Sequence, residues 1–247
     1  MQKRVVIGRG ETSKAKGVLG LIAARGGSKG LPRKNILIAA KKPLIAWTIA
    51  AAIESNMIDR VILSSDDDEI IQVAKDWGCE VPFIRPAELA RDTSRSMDVV
   101  LHALDQVHGF EYIVLLQPTS PLRTARDIDA AFDFMRNHNA PACVSVTEVD
   151  QSPYWMYQLN ADDRLIKIVE PIHEVIRRQD LPPVYTLNGA IYIAKIDWLL
   201  ESRSFVGPKT VAYQMPKARS IDIDDALDFQ QFRQFVESPE YTNSKAV

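Results

Sequence analysis

Between residues 18 and 146 the chain alternates short apolar runs with longer segments whose apolar residues recur at helical spacing. That alternation leaves few folds open. Val18–Ala23 has the length and composition of a buried strand. Over residues 43–54, Leu44, Trp47, Thr48 and Ala51 repeat at helical spacing, with Pro43 tolerated in the first turn. Val61–Ser64 predicts the next strand, and Asp66 with Glu69 predicts a capping box for a helix running to Trp77. Glu80–Ile84 reads as a short strand. Ser96 opens a helix that ends near His108 and Gly109. Tyr112–Leu116 is a strand, residues 125–137 a helix and Ala142–Val146 a strand. Strands alternating with helices, joined by right-handed crossovers, make a doubly wound, mostly parallel, Rossmann-like α/β sheet covered on both faces. Such sheets bind ligands beyond the carboxyl ends of their strands.

After Thr147 the rhythm breaks. Residues 148–188 carry Tyr154, Trp155 and Tyr157, then Ile166–Val169, then a basic, proline-rich stretch, and read as an inserted arm. Gly189–Ala194 restores a strand, Thr210–Met215 predicts another, and Asp225–Phe235 predicts a closing helix. Residues 1–17 set Lys3, Arg4, Arg9, Lys14 and Lys16 against Glu11 and read as a polar leader. The expected organisation is this leader, one domain over 18–238 with the arm inside it, and a tail over 239–247. A length of 247 residues with 46% apolar side chains supports one core of that kind.

The bulk properties exclude several classes. A formal charge of −2 creates no general attraction for nucleic acid or an anionic membrane, so an anion site must be a local cluster of Lys and Arg. The longest apolar stretch, Pro43 to Ile53, is too short to span a bilayer. The first residues lack a signal-peptide core. Cys79 and Cys143 belong to no C-x-x-C pair, so free thiols in a reducing cytoplasm are expected. His102, His108, His138 and His173 lack ligand spacing, which argues against a histidine-based metal site.

The strongest chemical signal follows the first strand directly. Ala24-Arg25-Gly26-Gly27-Ser28-Lys29-Gly30-Leu31-Pro32-Arg33-Lys34-Asn35 joins glycines, which let backbone amides approach an anion, to as many as four cations, Arg25, Lys29, Arg33 and Lys34. A triphosphate needs both features. The run is neither G-x-x-x-x-G-K-[ST] nor G-x-G-x-x-G. Further along, Asp222 and Asp224 alternate with Ile221 and Ile223. In an extended segment that period puts both carboxylates on one face, an arrangement suited to Mg²⁺; Asp224 or Asp225 can also cap the last helix. Gln117 lies just past the Tyr112–Leu116 strand, where ligands bind. Arg123 either binds an anion or only opens the following helix.

The glycine-rich run resembles the signature of the acylneuraminate cytidylyltransferases, the CMP-sialic acid synthetases and their relatives. Further segments match in order: Arg85-Pro86-Ala87-Glu88-Leu89-Ala90 with Asp92-Thr93, then Leu116-Gln117-Pro118-Thr119-Ser120-Pro121-Leu122-Arg123, Arg178-Gln179 with Leu181-Pro182, Asn188-Gly189-Ala190-Ile191-Tyr192, and Ser220-Ile221-Asp222-Ile223-Asp224. The resemblance spans about residues 18–236. It implies a nucleotidyltransferase fold and a reaction joining CMP from CTP to a nine-carbon acidic sugar, with release of pyrophosphate. By resemblance, Arg25 and Lys34 act on the phosphates as catalytic cations. Ser28, Lys29, Asn35, Arg85 and Ser96 hold the nucleotide; for Arg85 the alternative is an ion pair with Glu88. Gln117, Arg178, Asn188 and Tyr192 meet the sugar, Asp222 and Asp224 bind Mg²⁺, and the 148–188 arm crosses to a second subunit of a homodimer.

One position departs from the pattern. Where sialic acid enzymes of this family commonly carry a lysine, two residues after the arm's proline, this chain has Trp155. A tryptophan suits a less hydroxylated sugar tail, so Trp155 joins the sugar-side residues and legionaminic acid is favoured, with N-acetylneuraminic acid next. Two alternatives stand beside this reading: a CMP-Kdo-type cytidylyltransferase, and a catalytically silent sugar-nucleotide-binding protein.

Overall fold

The computed structural model of the chain describes residues 17–169, 177, 181–239 and 241. The elements follow one another as β1 (Val18–Ala23), a minimal hairpin of β2 (Ile38–Ala39) and β3 (Lys42–Pro43), α1 (Leu44–Glu54), β4 (Arg60–Ser64), α2 (Asp68–Asp76), α3 (Ser96–Gln106), β5 (Tyr112–Leu116), α4 (Ala125–Asn137) and β6 (Ala142–Glu148). There follow the arm strands β7 (Tyr157–Leu159) and β8 (Leu165–Lys167), then β9 (Tyr185–Lys195), α5 (Ile196–Ser202), β10 (Thr210–Gln214) and α6 (Ala226–Val236). The main sheet has the order β10-β6-β9-β5-β1-β4. β1 lies parallel between β4 and β5, with Leu21 opposite Ile62 on one side and Leu115 on the other. β9 runs antiparallel between β5 and β6, and β10 is a parallel edge on β6.

Side chains that alternate along the central strands supply both layers. Val18 and Ile22 of β1, with Val114 and Leu116 of β5, pack against Ile45 and Ile49 of α1 and Phe132 of α4. Leu19, Leu21, Ile113 and Leu115 point to the other face, against Val100 and Ala103 of α3 and Leu199 of α5. A smaller cluster joins Trp47 of α1 to Phe232 of α6, edge to face at 5.4 Å, and buries Ile223 beside them. That cluster ties the Asp222–Asp224 segment to the sheet.

Several sequence expectations are corrected. The cap of α2 is Asp67, whose side chain accepts from the Glu69 and Ile70 amides at 3.1 and 2.9 Å; Asp66 turns instead to the Gly26 amide. Of the two caps expected for the last helix, Asp225 is the one that forms, in a capping box with Asp228. Glu80–Ile84 is not a strand: Glu80 makes a single parallel bridge to Ile62, because Pro82 has no N–H to continue a ladder. Helix α5 was not expected, since it follows β9 directly with no loop or turn residue between them. The arm begins with a 3₁₀ turn, Pro153–Trp155, and the antiparallel β7–β8 hairpin. Leu159, Leu165 and Ile166 of that hairpin are exposed. Residues 1–16, most of the basic stretch before Leu181 and the end of the tail lie outside the described residues. Both cysteines are free and buried, and burial pushes each thiol up to about 12. No helix among the described residues is long and apolar enough to cross a membrane.

Candidate active site

A cleft of about 500 Å³ opens beyond the carboxyl ends of β1 and β5. Its first wall is the glycine-rich loop. The β1–β4 ladder runs on through the Ala24 amide to the Ser64 carbonyl at 3.1 Å, so the loop starts from a fixed point. Asp66 then accepts from the Gly26 amide at 3.2 Å. A side chain at Gly26 would place Cβ 2.6 Å from the Asp67 carboxylate, so only glycine fits there. Asn35 is buried and donates to the Arg25 carbonyl at 3.1 Å, closing the loop from its far end. These contacts aim Arg25, Ser28, Lys29 and Lys34 at the cleft.

Arg33 is the exception among the four cations. It takes a left-handed conformation with φ of 57° and turns to α2, where it pairs with Glu69 and lies 3.9 Å from Asp67. It does not line the cleft. Such an exposed pair contributes about 0.2–1 kcal/mol, so Arg33→Gln is expected to leave nucleotide KM within about threefold of wild type, as read by nucleotide titration of the purified variant.

Arg25 and Lys29 both meet Asp92 across the cleft, at 3.1 and 2.6 Å. The Lys29 ammonium, hydrogen-bonded to the Asp92 carboxylate, holds it below the usual carboxylate range, and Arg25 adds to this. One carboxylate thus draws two cations of the loop to the same point of the cleft. Asp92 lies in a matched motif, yet the sequence reading gave it no role. Arg85 is buried; its Nε donates to Ser64 Oγ at 3.0 Å and its Nη2 to the Ser64 carbonyl. The alternative pairing with Glu88 is not formed. Burial pushes the Arg85 guanidinium down to about 10. It lines the same cleft, as does Ser96 at the first turn of α3.

The opposite wall comes from the turn after β5 and from residues 222–224. Gln117 and Thr119 line the cleft, and the Thr119 carbonyl accepts from the Ile223 amide at 2.8 Å. Ile223 is buried, so the residues on either side, Asp222 and Asp224, present both carboxylates to the cleft as the alternation predicts. Desolvation by the cleft walls raises the Asp222 carboxyl, and the nearby Asp224 charge adds to that. Lys34 joins the two walls: its ammonium donates to the Ile223 carbonyl and lies 3.4 Å from Asp224 Oδ1. Among the described residues no group of three or more His, Cys, Asp or Glu could cage a metal ion. Two cleft carboxylates opposite an anion site fit Mg²⁺, which is commonly held by one or two carboxylates plus substrate phosphates.

The remaining expected residues lie elsewhere. Asn188 is buried below the cleft and does not line it. Its Oδ1 accepts from Ser145 Oγ at 2.6 Å and its Nδ2 donates to Ser220 Oγ at 2.9 Å, linking β6, β9 and the segment that carries Asp222. Tyr192 packs on Phe205 with ring centroids 5.6 Å apart. Its hydroxyl is pushed up by burial and by the charge of Asp222. Trp155 stands on the arm, 45% exposed, away from the cleft lining. Arg178 lies outside the described residues. Arg123 neither faces the cleft nor caps α4: Thr124 and Asp127 form the capping box, and Arg123 is buried.

Comparison with known proteins identifies the family. The profile of the Cytidylyltransferase family matches residues 19–204. An N-acylneuraminate cytidylyltransferase of Streptococcus agalactiae serotype V is 38% identical over 211 residues, covering 85% of this chain and 51% of that protein. The chain thus spans about half the length of that relative. A CMP-N,N'-diacetyllegionaminic acid synthase of Legionella pneumophila is 35% identical over 217 residues, covering 86% of this chain and 93% of the relative. Among solved structures, a CMP:2-keto-3-deoxy-manno-octonic acid synthetase complexed with CTP superposes with a TM-score of 0.67 at 17% identity, over 89% of this chain and 98% of that one. At that identity the likeness speaks for the fold.

Proposed function

This chain belongs to the cytidylyltransferase family, and from that premise we propose that it joins CMP from CTP to the anomeric hydroxyl of a nine-carbon acidic sugar. The observation that carries the reading is one cleft with Arg25, Lys29 and Lys34 on one wall and Asp222 and Asp224 on the other. A nucleoside triphosphate with its divalent cation has that charge pattern.

The sugar hydroxyl attacks the α-phosphorus of CTP in line and gives up its proton, which ends in solvent. The bond from that phosphorus to the bridging oxygen breaks, and pyrophosphate leaves. Negative charge spreads over the phosphoryl oxygens in the transition state, and Arg25 and Lys34 stabilise it as preorganised cations. Lys29, Ser28 and the loop amides hold the outgoing phosphates. Asn35, Arg85 and Ser96 bound the nucleoside end of the cleft. Gln117, at the opposite end, orients the sugar. Asp222 and Asp224 would hold Mg²⁺, which supplies charge neutralisation on the phosphates when bound. Tyr192 and Asn188 support the sugar side from beneath. Arg178 and Trp155 come from the arm, whose exposed apolar hairpin suits burial against a second copy of this chain. A guanidinium at Arg178 suits a planar sugar carboxylate.

Relatives bearing sialic acid and legionaminic acid names are both similar to this chain, and Trp155 tips the choice of sugar to legionaminic acid. The test is Mg²⁺-dependent pyrophosphate release from CTP with legionaminate, N-acetylneuraminate, pseudaminate and Kdo in parallel. The expected outcome is the largest kcat/KM with legionaminate. Preference for N-acetylneuraminate would retain the reaction and discard the Trp155 argument. Turnover of Kdo alone would favour the octulosonate reading suggested by the solved neighbour. Silence with all four would leave a binding role.

A further inference from the structure

Arg123 is the largest of the fully buried side chains, and it forms no ion pair among the described residues. The nearest carboxylate of consequence, Asp127, is engaged by Arg219 at 2.6 Å and by its own helix cap. The Arg123 guanidinium is satisfied by neutral acceptors alone. Nε donates to the Ala190 carbonyl at 2.8 Å, Nη2 to the Gln117 carbonyl at 2.7 Å, and Nη1 and Nη2 both reach Thr48 Oγ1 at 3.3 Å. Burial pushes this guanidinium down to about 9. The Asp127 charge opposes that shift only from beyond ion-pair distance, and a buried charge without a directly bonded counter-charge is a poor way to stabilise a fold, since desolvation opposes it. Its planar fork of donors, however, holds several acceptors in one fixed geometry.

The acceptors it holds lie at and behind the Gln117 side of the cleft. The Gln117 carbonyl belongs to the residue whose side chain lines the cleft. The Ala190 carbonyl follows Gly189, which has φ of +72°. A Cβ on Gly189 would sit 2.9 Å from Gln117 Oε1 and 3.6 Å from Asp222 Oδ2. The Gly189 turn, the Gln117 amide and the Asp222 carboxylate therefore meet at one corner. Thr48 Oγ1 adds a weaker brace, donating to the same Gln117 carbonyl at 3.4 Å.

We infer that Arg123 is a positioning residue: from inside the core it fixes the Gln117 turn against the Gly189 turn of β9 and so sets where the sugar-side amide stands. The inference rests on the reading of Gln117 as a sugar-side residue. Arg123 touches no substrate and acts only through these two backbone points.

A double-mutant cycle tests it. In Arg123→Lys the charge remains but one ammonium cannot reach all three acceptors. The sugar KM is expected to rise and kcat to fall, together by roughly tenfold to a hundredfold in kcat/KM, the scale of a displaced reacting group. The CTP KM should stay within about twofold, because the loop wall is untouched. In a Gln117→Ala background the same change should add almost nothing. Thr48→Val, which removes only the hydroxyl brace, should show the same pattern at a few-fold effect and covers the case in which Arg123→Lys does not fold. Additive losses in both double variants, with Gln117→Ala itself impaired, would overturn the inference and leave Arg123 a fold residue. Wild-type sugar kinetics in Gln117→Ala would overturn the Gln117 reading, and the inference with it. Non-additive losses confined to the sugar confirm it.

Discussion

Lys34→Met is expected to lower kcat/KM for CTP by about 10²–10³, the range for removing one preorganised group from a developing oxyanion. The side chain is only 11% exposed, so its charge acts in a partly desolvated wall where solvent screens it weakly. Methionine keeps much of the length and apolar stem and removes the ammonium. Two losses coincide. The phosphoryl group loses a cation, and the Ile223 carbonyl and Asp224 lose the donor that draws residues 222–224 to the loop. Steady-state pyrophosphate release over a range of CTP and Mg²⁺ concentrations reads both: kcat falls, and the Mg²⁺ requirement shifts upward. Activity within threefold of wild type would remove Lys34 from the catalytic set.

The second large effect is expected from Gly30→Ala. A methyl group there would lie 2.5 Å from the Asp224 carbonyl oxygen. That neighbour is backbone, so it cannot rotate away as a flexible side chain would. The loop and the Asp222–Asp224 segment must separate, and the two walls of the cleft with them. Displacement of reacting groups by about 1 Å can cost 10²-fold, and a loss on that order in kcat is expected. The loop lies outside the sheet core, so the melting temperature should change little. A variant with intact activity would show that the two walls do not need this close approach. A variant with lost activity and a large drop in melting temperature would assign Gly30 to folding instead.

Much of the scaffold was legible because the central strands are short continuous apolar runs, while α2, α3 and α4 alternate apolar and polar residues at helical spacing. Tyr112–Leu116 and residues 125–137 match the structure to the residue, since each is bounded by a clear change of period. The Asp222–Asp224 alternation was legible too, because a two-residue period admits only one extended geometry. Cap identity was less so. Asp66, Asp67 and Asp68 are equivalent as sequence, and only the approach of Gly26 shows that Asp66 serves the loop while Asp67 caps the helix. In the same way, four cations in one loop look alike until Glu69 takes Arg33 out of the set.

Local pattern alone therefore determined most of the elements of the scaffold, the glycine-rich cationic loop after β1 and the paired carboxylates before α6. These depend on neighbours within a few residues, where steric period and backbone freedom decide. Only the tertiary structure decided which of those groups meet. Lys34 and Asp224 are brought together from opposite ends of the chain, and Arg25 and Lys29 meet Asp92 from a separate segment of the same half. Arg123, which looked like an anion ligand or a helix opener, became a buried clamp on Gln117 and Ala190. The physical reason is the same in each case. A charged side chain's role is set by what solvates or pairs with it after folding, and those partners are supplied by segments distant in sequence that the packed sheet brings together.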